Sequence, residues 1–181
     1  IDIANPTAPN EIGYSTAIEA AQDVYVLDHM VLMASGTAGL RIYDQSDPEN
    51  IFAVDQKLLG DYATGIEYYQ GAAYLTVSDH IPNGSRVVRI DVATPTLDAS
   101  NFATVSGDPL DLSYSDGQFY VLRMNAGDLQ IALLSANGAA GTAVTISAQY
   151  YSTVPQSETD PSSIVVKGGL AYVSVDNRIL V

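Results

Sequence analysis

The chain has 181 residues, 47% of them hydrophobic and 15% charged, with a formal net charge of −14, seven Lys and Arg and no Cys. Seven scattered cations cannot build the basic face that nucleic-acid binding through counterion release requires, and no apolar run is long enough to insert in a membrane. The lack of Cys excludes disulfides, thiolate metal sites and Cys nucleophiles.

Helical periodicity is nearly absent. Short segments rich in Val, Ile, Tyr and Leu alternate with Gly, Asn, Asp, Ser and Pro, the pattern of strands and turns. The stretch from Ser15 to Asp23 reads as a connection into a strand, with at most one helical turn. Four strands are then predicted in a first unit: Asp23–Leu27, Val31–Ala34, Leu40–Tyr43 and Ile51–Lys57. A second unit reads Gly65–Tyr69, Ala72–Val77, Arg86–Val92 and Asn101–Val105. A third reads Leu110–Tyr114, Gln118–Arg123, Leu129–Leu134 and Ala143–Ala148. The last supplies Ser163–Val166, Ala171–Val175 and Arg178–Val181, one and a half strands short of four.

The missing piece matches the start of the chain. Gly39-Leu40-Arg41-Ile42-Tyr43-Asp44 leads to Pro48, and Arg86-Val87-Val88-Arg89-Ile90-Asp91 leads to Pro95. The same pattern is completed when Arg178-Ile179-Leu180-Val181 is read into Ile1-Asp2-Ile3-Ala4-Asn5-Pro6. Ile1–Ile3 is expected to continue the third strand and Glu11–Tyr14 to serve as the fourth. The markers Asp44, Asp91, Leu134 and, across the ends, Asp2 are spaced about 47, 43, 49 and 42 residues apart, the length of a four-stranded blade. Ala73-Tyr74-Leu75, Phe119-Tyr120-Val121 and Ala171-Tyr172-Val173 recur at matching places. The fold class expected is all-β: a β-propeller of about four four-stranded blades in one domain, residues 1–181, the last blade completed by pairing N- and C-terminal strands. The units are approximately 20–63, 64–108, 109–154, and 162–181 joined with 1–16.

These residues resemble the LVIVD-repeat family of bacterial and archaeal surface β-propellers. Its pattern is a Tyr-containing strand, a turn, a Gly-Leu-aliphatic run ending in Asp, and a Pro-bearing turn. Ala171-Tyr172-Val173 with Arg178–Val181 and Ile1–Pro6 matches best, Gly39–Pro48 closely and Arg86–Pro95 reasonably. The third unit departs, with Leu134 in place of the Asp and Gly138 in place of the Pro. The resemblance implies an extracellular propeller in an adhesive or surface context, with no shared catalytic residues.

Asp2, Asp44 and Asp91 end strands just before turns, where a carboxylate accepts turn amides. The functional alternative is a ring of carboxylates holding a cation near the axis, calcium being the candidate cofactor because acidic loops supply hard oxygens. Asp28-His29 and Asp79-His80 sit at strand ends in consecutive units and are weak candidates for a two-His metal site with a carboxylate; solvated loop histidines are the plainer reading. No Gly-x-Ser-x-Gly elbow is present, and no catalytic residue is assigned. In Tyr68-Tyr69 and Tyr150-Tyr151 one ring points to each face, so at least one of each pair packs between blades. Most of the arginines at 41, 86, 89, 123 and 178, which lie in or beside strands, are expected to reach the surface or pair with acids. Asn83-Gly84-Ser85 is a glycosylation sequon by rule.

The acidic, Lys-poor composition suits an extracellular or cell-surface protein. Beginning at Ile1, the chain reads as a processed product, an excised domain or the ordered part of something longer. The function expected is a non-enzymatic module for adhesion, assembly or protein binding. Its partners would be a protein or a surface glycan, or further copies of itself through exchange of terminal strands, with neither nucleic acid nor membrane insertion. The alternative is a polysaccharide-active hydrolase or lyase with carboxylates or calcium at the propeller mouth.

Overall fold

The structure is a computed structural model that describes residues 1–15, 19–78, 84–94, 96–146, 163–175 and 178–181. Fifteen strands form four antiparallel sheets among the described residues, each a meander of neighbours in chain order. Blade 1 holds β1 (Asp23–Leu27), β2 (Met30–Ala34), β3 (Leu40–Asp44) and β4 (Phe52–Lys57). Blade 2 holds β5 (Tyr62–Tyr69), β6 (Ala72–Ser78), β7 (Arg86–Asp91) and β8 (Ala99–Thr104). Blade 3 holds β9 (Asp108–Ser115), β10 (Gln118–Asn125), β11 (Asp128–Ser135) and β12 (Ala140–Thr145). Blade 4 has β13 (Ser163–Lys167), β14 (Leu170–Val175) and β15 (Arg178–Leu180). The four-bladed all-β architecture read from the repeats is the one observed. Among the described residues no helix is long and apolar enough to cross a membrane.

Local chemistry sets the hairpins. In the two-residue loops Gln70-Gly71 and Asp116-Gly117 both residues have positive φ, the geometry that matches the right-handed twist of the flanking strands. Gly adopts it without steric cost, and Asp116 at little cost. In blades 1 to 3 the third and fourth strands pair with a register shift, between Ile42 and Tyr43, Val87 and Val88, and Ala132 and Leu134. Such bulges bend the outermost strand and sharpen its twist.

Because side chains alternate across a strand, each blade offers an apolar face to each neighbour. Three apolar clusters result. Leu32, Leu40, Ile66 and Leu75 fill the junction of blades 1 and 2. Tyr74, Val87, Phe119 and Leu134 fill that of blades 2 and 3. Leu122, Leu129, Ile164 and Val173 fill that of blades 3 and 4. Tyr68 and Tyr69 show the alternation directly. Tyr68 packs on Tyr25 of blade 1, with ring centroids 5.7 Å apart, and Tyr69 stacks on Tyr114 of blade 3 at 4.1 Å. Arg86 meets Asp61 at 2.6 Å and Arg89 meets Asp91 at 3.7 Å, as arginines in an acidic protein should. Arg41 is an exception among them: it is buried, and its guanidinium donates to Gln56.

The fourth blade carries three strands, consistent with completion by the N-terminal segment. In this structure that segment forms a corner of its own, with Asp2 bridged to Asn10, and Glu11–Tyr14 joins no ladder. The corner is followed by Gly13, which lies against the Pro48 carbonyl of blade 1 so closely that a Cβ there would overlap it.

Candidate functional site

The innermost strands β1, β5, β9 and β13 line the axis. The residue four before the last of each is Asp23, Gly65, Asp111 and Ser163 respectively, so blades 1 and 3 place two carboxylates opposite one another. The Oδ1 of Asp23 accepts the Val24 N–H at 2.8 Å, and its Oδ2 accepts the Ile66 N–H of blade 2 at 2.9 Å. Asp111 repeats this, with Leu112 at 2.7 Å and Ile164 of blade 4 at 2.7 Å. Glu67 does the same from two residues further along β5, holding Tyr68 at 3.0 Å and Tyr114 of blade 3 at 2.9 Å. The Ser113 hydroxyl adds a fourth bond by accepting the Val166 N–H at 3.1 Å. Each acid thus links its own blade to the next through backbone amides.

Burial raises all three acids. Desolvation, only partly offset by the Ile164 amide and augmented by the Asp23 charge, pushes Asp111 up to about 7. Asp23 is raised chiefly by desolvation, against the lowering effect of the bonds from Ile66 and Val24 and, last, of the Asp111 side chain. Glu67 is also raised, by desolvation first and by the Asp23 charge last. Room for this arrangement comes from Gly65, where a Cβ would sit 2.5 Å from the Asp111 Oδ1 and 2.9 Å from the Thr76 Oγ1.

The residues singled out from sequence lie elsewhere. Asp44 and Asp91 turn the corner after the third strand and Asp2 turns the N-terminal corner, and each Oδ1 accepts the N–H two residues on: Ser46 at 2.7 Å, Ala93 at 3.0 Å and Ala4 at 2.8 Å. The bonds from Ser46 come first in holding Asp44 below the usual carboxylate range, with His29 a lesser contributor. Asp28 and His29 form the β1–β2 loop, whose carbonyls receive the Gln45 side-chain amide and backbone N–H respectively. Asp79, His80, Asn83, Tyr150 and Tyr151 fall outside the described residues. Among the described residues no three His, Asp or Glu side chains gather in the way a metal site needs. The axial acids were missed because nothing in the repeat motif marks them. Their one signal is an acid early in an otherwise apolar innermost strand.

A second feature is the unfinished fourth blade. A cavity of about 660 Å3 opens beside it, lined by Ile131, Val144 and Ile146 of blade 3 and by Gly169, Leu170 and Ala171. On the side toward blade 1, Val165 and Tyr172 are exposed, as are Val24 and Val26 on blade 1. None of the three apolar clusters occupies this junction.

The N-terminal corner has the form of the corners in blades 1 and 2. In addition to the shared Asp bond, Ala8 N–H reaches the Asn5 carbonyl at 3.0 Å, as Asn50 reaches Asp47 at 3.0 Å and Leu97 reaches Thr94 at 3.3 Å. Yet Ile1, which stands where Tyr43 and Ile90 stand, is 80% exposed against their 4% and 0%.

The model of the LVIVD repeat matches residues 1–16, the segment that contains this corner. No curated protein sequence matches the chain. Among solved structures it is similar to the computationally designed Ika4 protein, with 8% identity over 96% of this chain and 98% of that one and a TM-score of 0.56. It is similar also to the glutaminyl cyclase of Myxococcus xanthus, with 13% identity over 86% of this chain and 68% of that one and a TM-score of 0.59. The WD40 β-propeller domain of Doa1 aligns at 13% identity over 94% of this chain but 56% of its own, with a TM-score of 0.53. At these identities the likeness is one of fold. The chain is a four-bladed β-propeller whose residues 1–16 match the LVIVD-repeat model.

Proposed function

We propose that the protein is a non-enzymatic, extracellular or cell-surface module that makes protein contacts through its unfinished fourth blade. The observation that carries this reading is the apolar cavity beside β14 and β15, at a place where blades 1 and 2 hold buried third-strand residues. An incomplete sheet offers both backbone hydrogen bonds and side-chain pockets to an extended segment, the usual terms of strand addition. The acidic surface keeps such a module soluble and discourages indiscriminate contact. The test is binding of a labelled peptide of residues 1–15 to a chain lacking those residues, followed by fluorescence anisotropy. Saturable binding supports the groove as a strand acceptor, and its absence at high micromolar peptide would sink the reading.

The rival reading is a polysaccharide-active hydrolase or lyase, and the raised acids Asp23 and Asp111 at the axis are what favour it. Against it, both oxygens of each carboxylate already accept backbone N–H groups, and Asp111 is only 4% exposed. A general acid must reach the bond it protonates. Glycan hydrolysis lost in Asp111→Asn with the fold intact would reinstate this reading.

A further inference from the structure

We propose that the cleft between residues 11–15 and the β3–β4 corner of blade 1 binds an alkylammonium ion, the chemistry of a lysine side chain or of a free aliphatic amine.

Two pieces of chain build the cleft. Residues 11–15 form one wall and residues 49–52 the other, and they border a cavity of about 720 Å3, a size suited to a small ligand. Gly13 fixes the distance between the walls. A Cβ on it would overlap the Pro48 carbonyl and lie 3.1 Å from the Glu49 Cα, an approach that glycine allows. The second wall is held by its own corner. There Asp47 accepts the Glu49 N–H at 3.1 Å and the Asn50 side-chain amide at 2.7 Å, and its carbonyl accepts the Asn50 N–H at 3.0 Å. The backbone of the corner is therefore set before any ligand arrives.

Each wall brings the same three kinds of side chain. Glu11 and Glu49 supply a carboxylate apiece, Ile12 and Ile51 an aliphatic surface, and Tyr14 and Phe52 an aromatic ring. The two rings are exposed, at 75% and 57%. Among the described residues no cation answers either glutamate: the two ion pairs join Arg86 to Asp61 and Arg89 to Asp91. A cleft lined by one sign of charge draws the opposite charge from solution, and the formal net charge of −14 adds to that field.

What else lines the cleft selects the class of cation. A bare calcium ion needs six to eight oxygens, and among the described residues no three His, Asp or Glu side chains gather in the way a metal site needs. A sugar would stack on the rings but calls for donors as well as acceptors. The ionised glutamates only accept, and Asn50 already gives a side-chain N–H to Asp47. An ammonium group only donates, and it is drawn to the faces of aromatic rings. Its methylene stem covers the apolar surface that the two isoleucines present.

The test is an NMR titration of the full chain, read at the aromatic signals of Tyr14 and Phe52. The probes are Nα-acetyl-lysine N-methylamide and n-butylamine, with the uncharged Nα-acetyl-norleucine N-methylamide as control. Saturable shifts at both rings are expected with the two amines and none with the control, and added salt should weaken them. Glu49→Gln should weaken binding about three- to fivefold. The corner bonds of Glu49 run through its backbone, so this variant keeps the fold. Tyr14→Ala, read at Phe52, should show a similar loss. Tighter binding of the capped lysine than of n-butylamine assigns the ligand to a side chain on a protein partner. Equal or tighter binding of n-butylamine assigns it to free amines, and either result keeps the site. No shift with either amine at millimolar concentration, equal shifts with norleucine, or unchanged affinity in Glu49→Gln would overturn the proposal. No residue of the fourth blade takes part, so the outcome is separate from that of the peptide test above.

Discussion

Asp23 of blade 1 and Asp111 of blade 3 act on one another across the axis, the Asp23 charge adding to the desolvation that pushes Asp111 up to about 7. Two like charges at one buried place oppose each other's ionisation, which favours a protonated Asp111 below about pH 7. Around the pair stand Glu67 and Thr64 of β5, Thr76 of β6, Ser113 of β9 and Ser163 of β13. Among the described residues neither ion pair places a cation there.

Stability should therefore fall as pH rises from about 4 to about 7. Asp111 is raised from 3.8 to about 7, and Asp23 and Glu67 are raised with it. Between those values the folded state binds a proton that the unfolded chain has already released, so each step up in pH favours unfolding. Above about 7 the effect levels off. At about 1.4 kcal/mol per unit the coupled group contributes on the order of 2–4 kcal/mol at the acid end. Urea unfolding at pH 5 and pH 8 measures it. A midpoint that rises between these values would show that the acids are not buried as described. Asp111→Asn removes the titrating carboxyl and keeps one oxygen to accept a backbone N–H, so it should flatten the profile.

Gly65→Ala should be among the most damaging small substitutions. Its Cβ would lie 2.5 Å from the Asp111 Oδ1 and 2.8 Å from the Asp111 Cα. Backbone contact leaves little room to relax, and overpacking of this kind costs about 1–3 kcal/mol or more. Thermal unfolding of the single variant and of Gly65→Ala with Asp111→Ser separates the two contacts. The second change should restore only part of the loss, because the Cα clash remains.

Phe119→Ala should cost about 3–5 kcal/mol. Phe119 is fully buried, and its ring meets those of Tyr69, Tyr74, Phe102 and Tyr114 at centroid distances of 6.1, 4.5, 5.4 and 4.9 Å. It is the hub of the junction between blades 2 and 3, so loss should uncouple these blades. Chemical denaturation with near-ultraviolet circular dichroism would register both the lost stability and the lost tyrosine signal.

Asp91→Ala should act through the corner alone. Its carboxylate accepts the Ala93 N–H and meets Arg89 on the surface, contributions of about 0.5–1.5 kcal/mol together. Calcium or chelator should leave the unfolding midpoint of wild type and variant in the same relation. A calcium-dependent gap between them would give Asp91 the ligand role that its hydrogen bonds do not require.

The blades were legible because local chemistry decides them. Val, Ile and Tyr alternate over short runs, and Asp, Asn and Gly punctuate them, so strand positions follow within a few residues. The Asp44 and Asp91 corners were legible for the same reason, since the bond to the residue two ahead is a local one. The axis was not. Asp23 and Asp111 lie 88 positions apart in sequence and meet only because intervening blades turn the chain through half a ring. Glu67 sits two residues out of step with them, which hides the repeat. Glu11–Tyr14 looked like a strand by composition, but a strand exists only with a partner, and β15 is not beside it here.

The carboxylate links all point the same way along the chain. Asp23 reaches 43 residues ahead, Glu67 47 and Asp111 53. Loop-closure entropy varies only logarithmically over such spans, so length gives no link precedence. Order must come from when each acceptor's donor becomes available. During synthesis each acid has only its own strand's amide until the innermost strand of the next blade leaves the ribosome. The expected order of locking on the ribosome is therefore from N- to C-terminus, which protease protection of stalled nascent chains would check. A translational pause just after β5, β9 or β13 would release a locked intermediate, and a pause just before one would strand a charged, open edge.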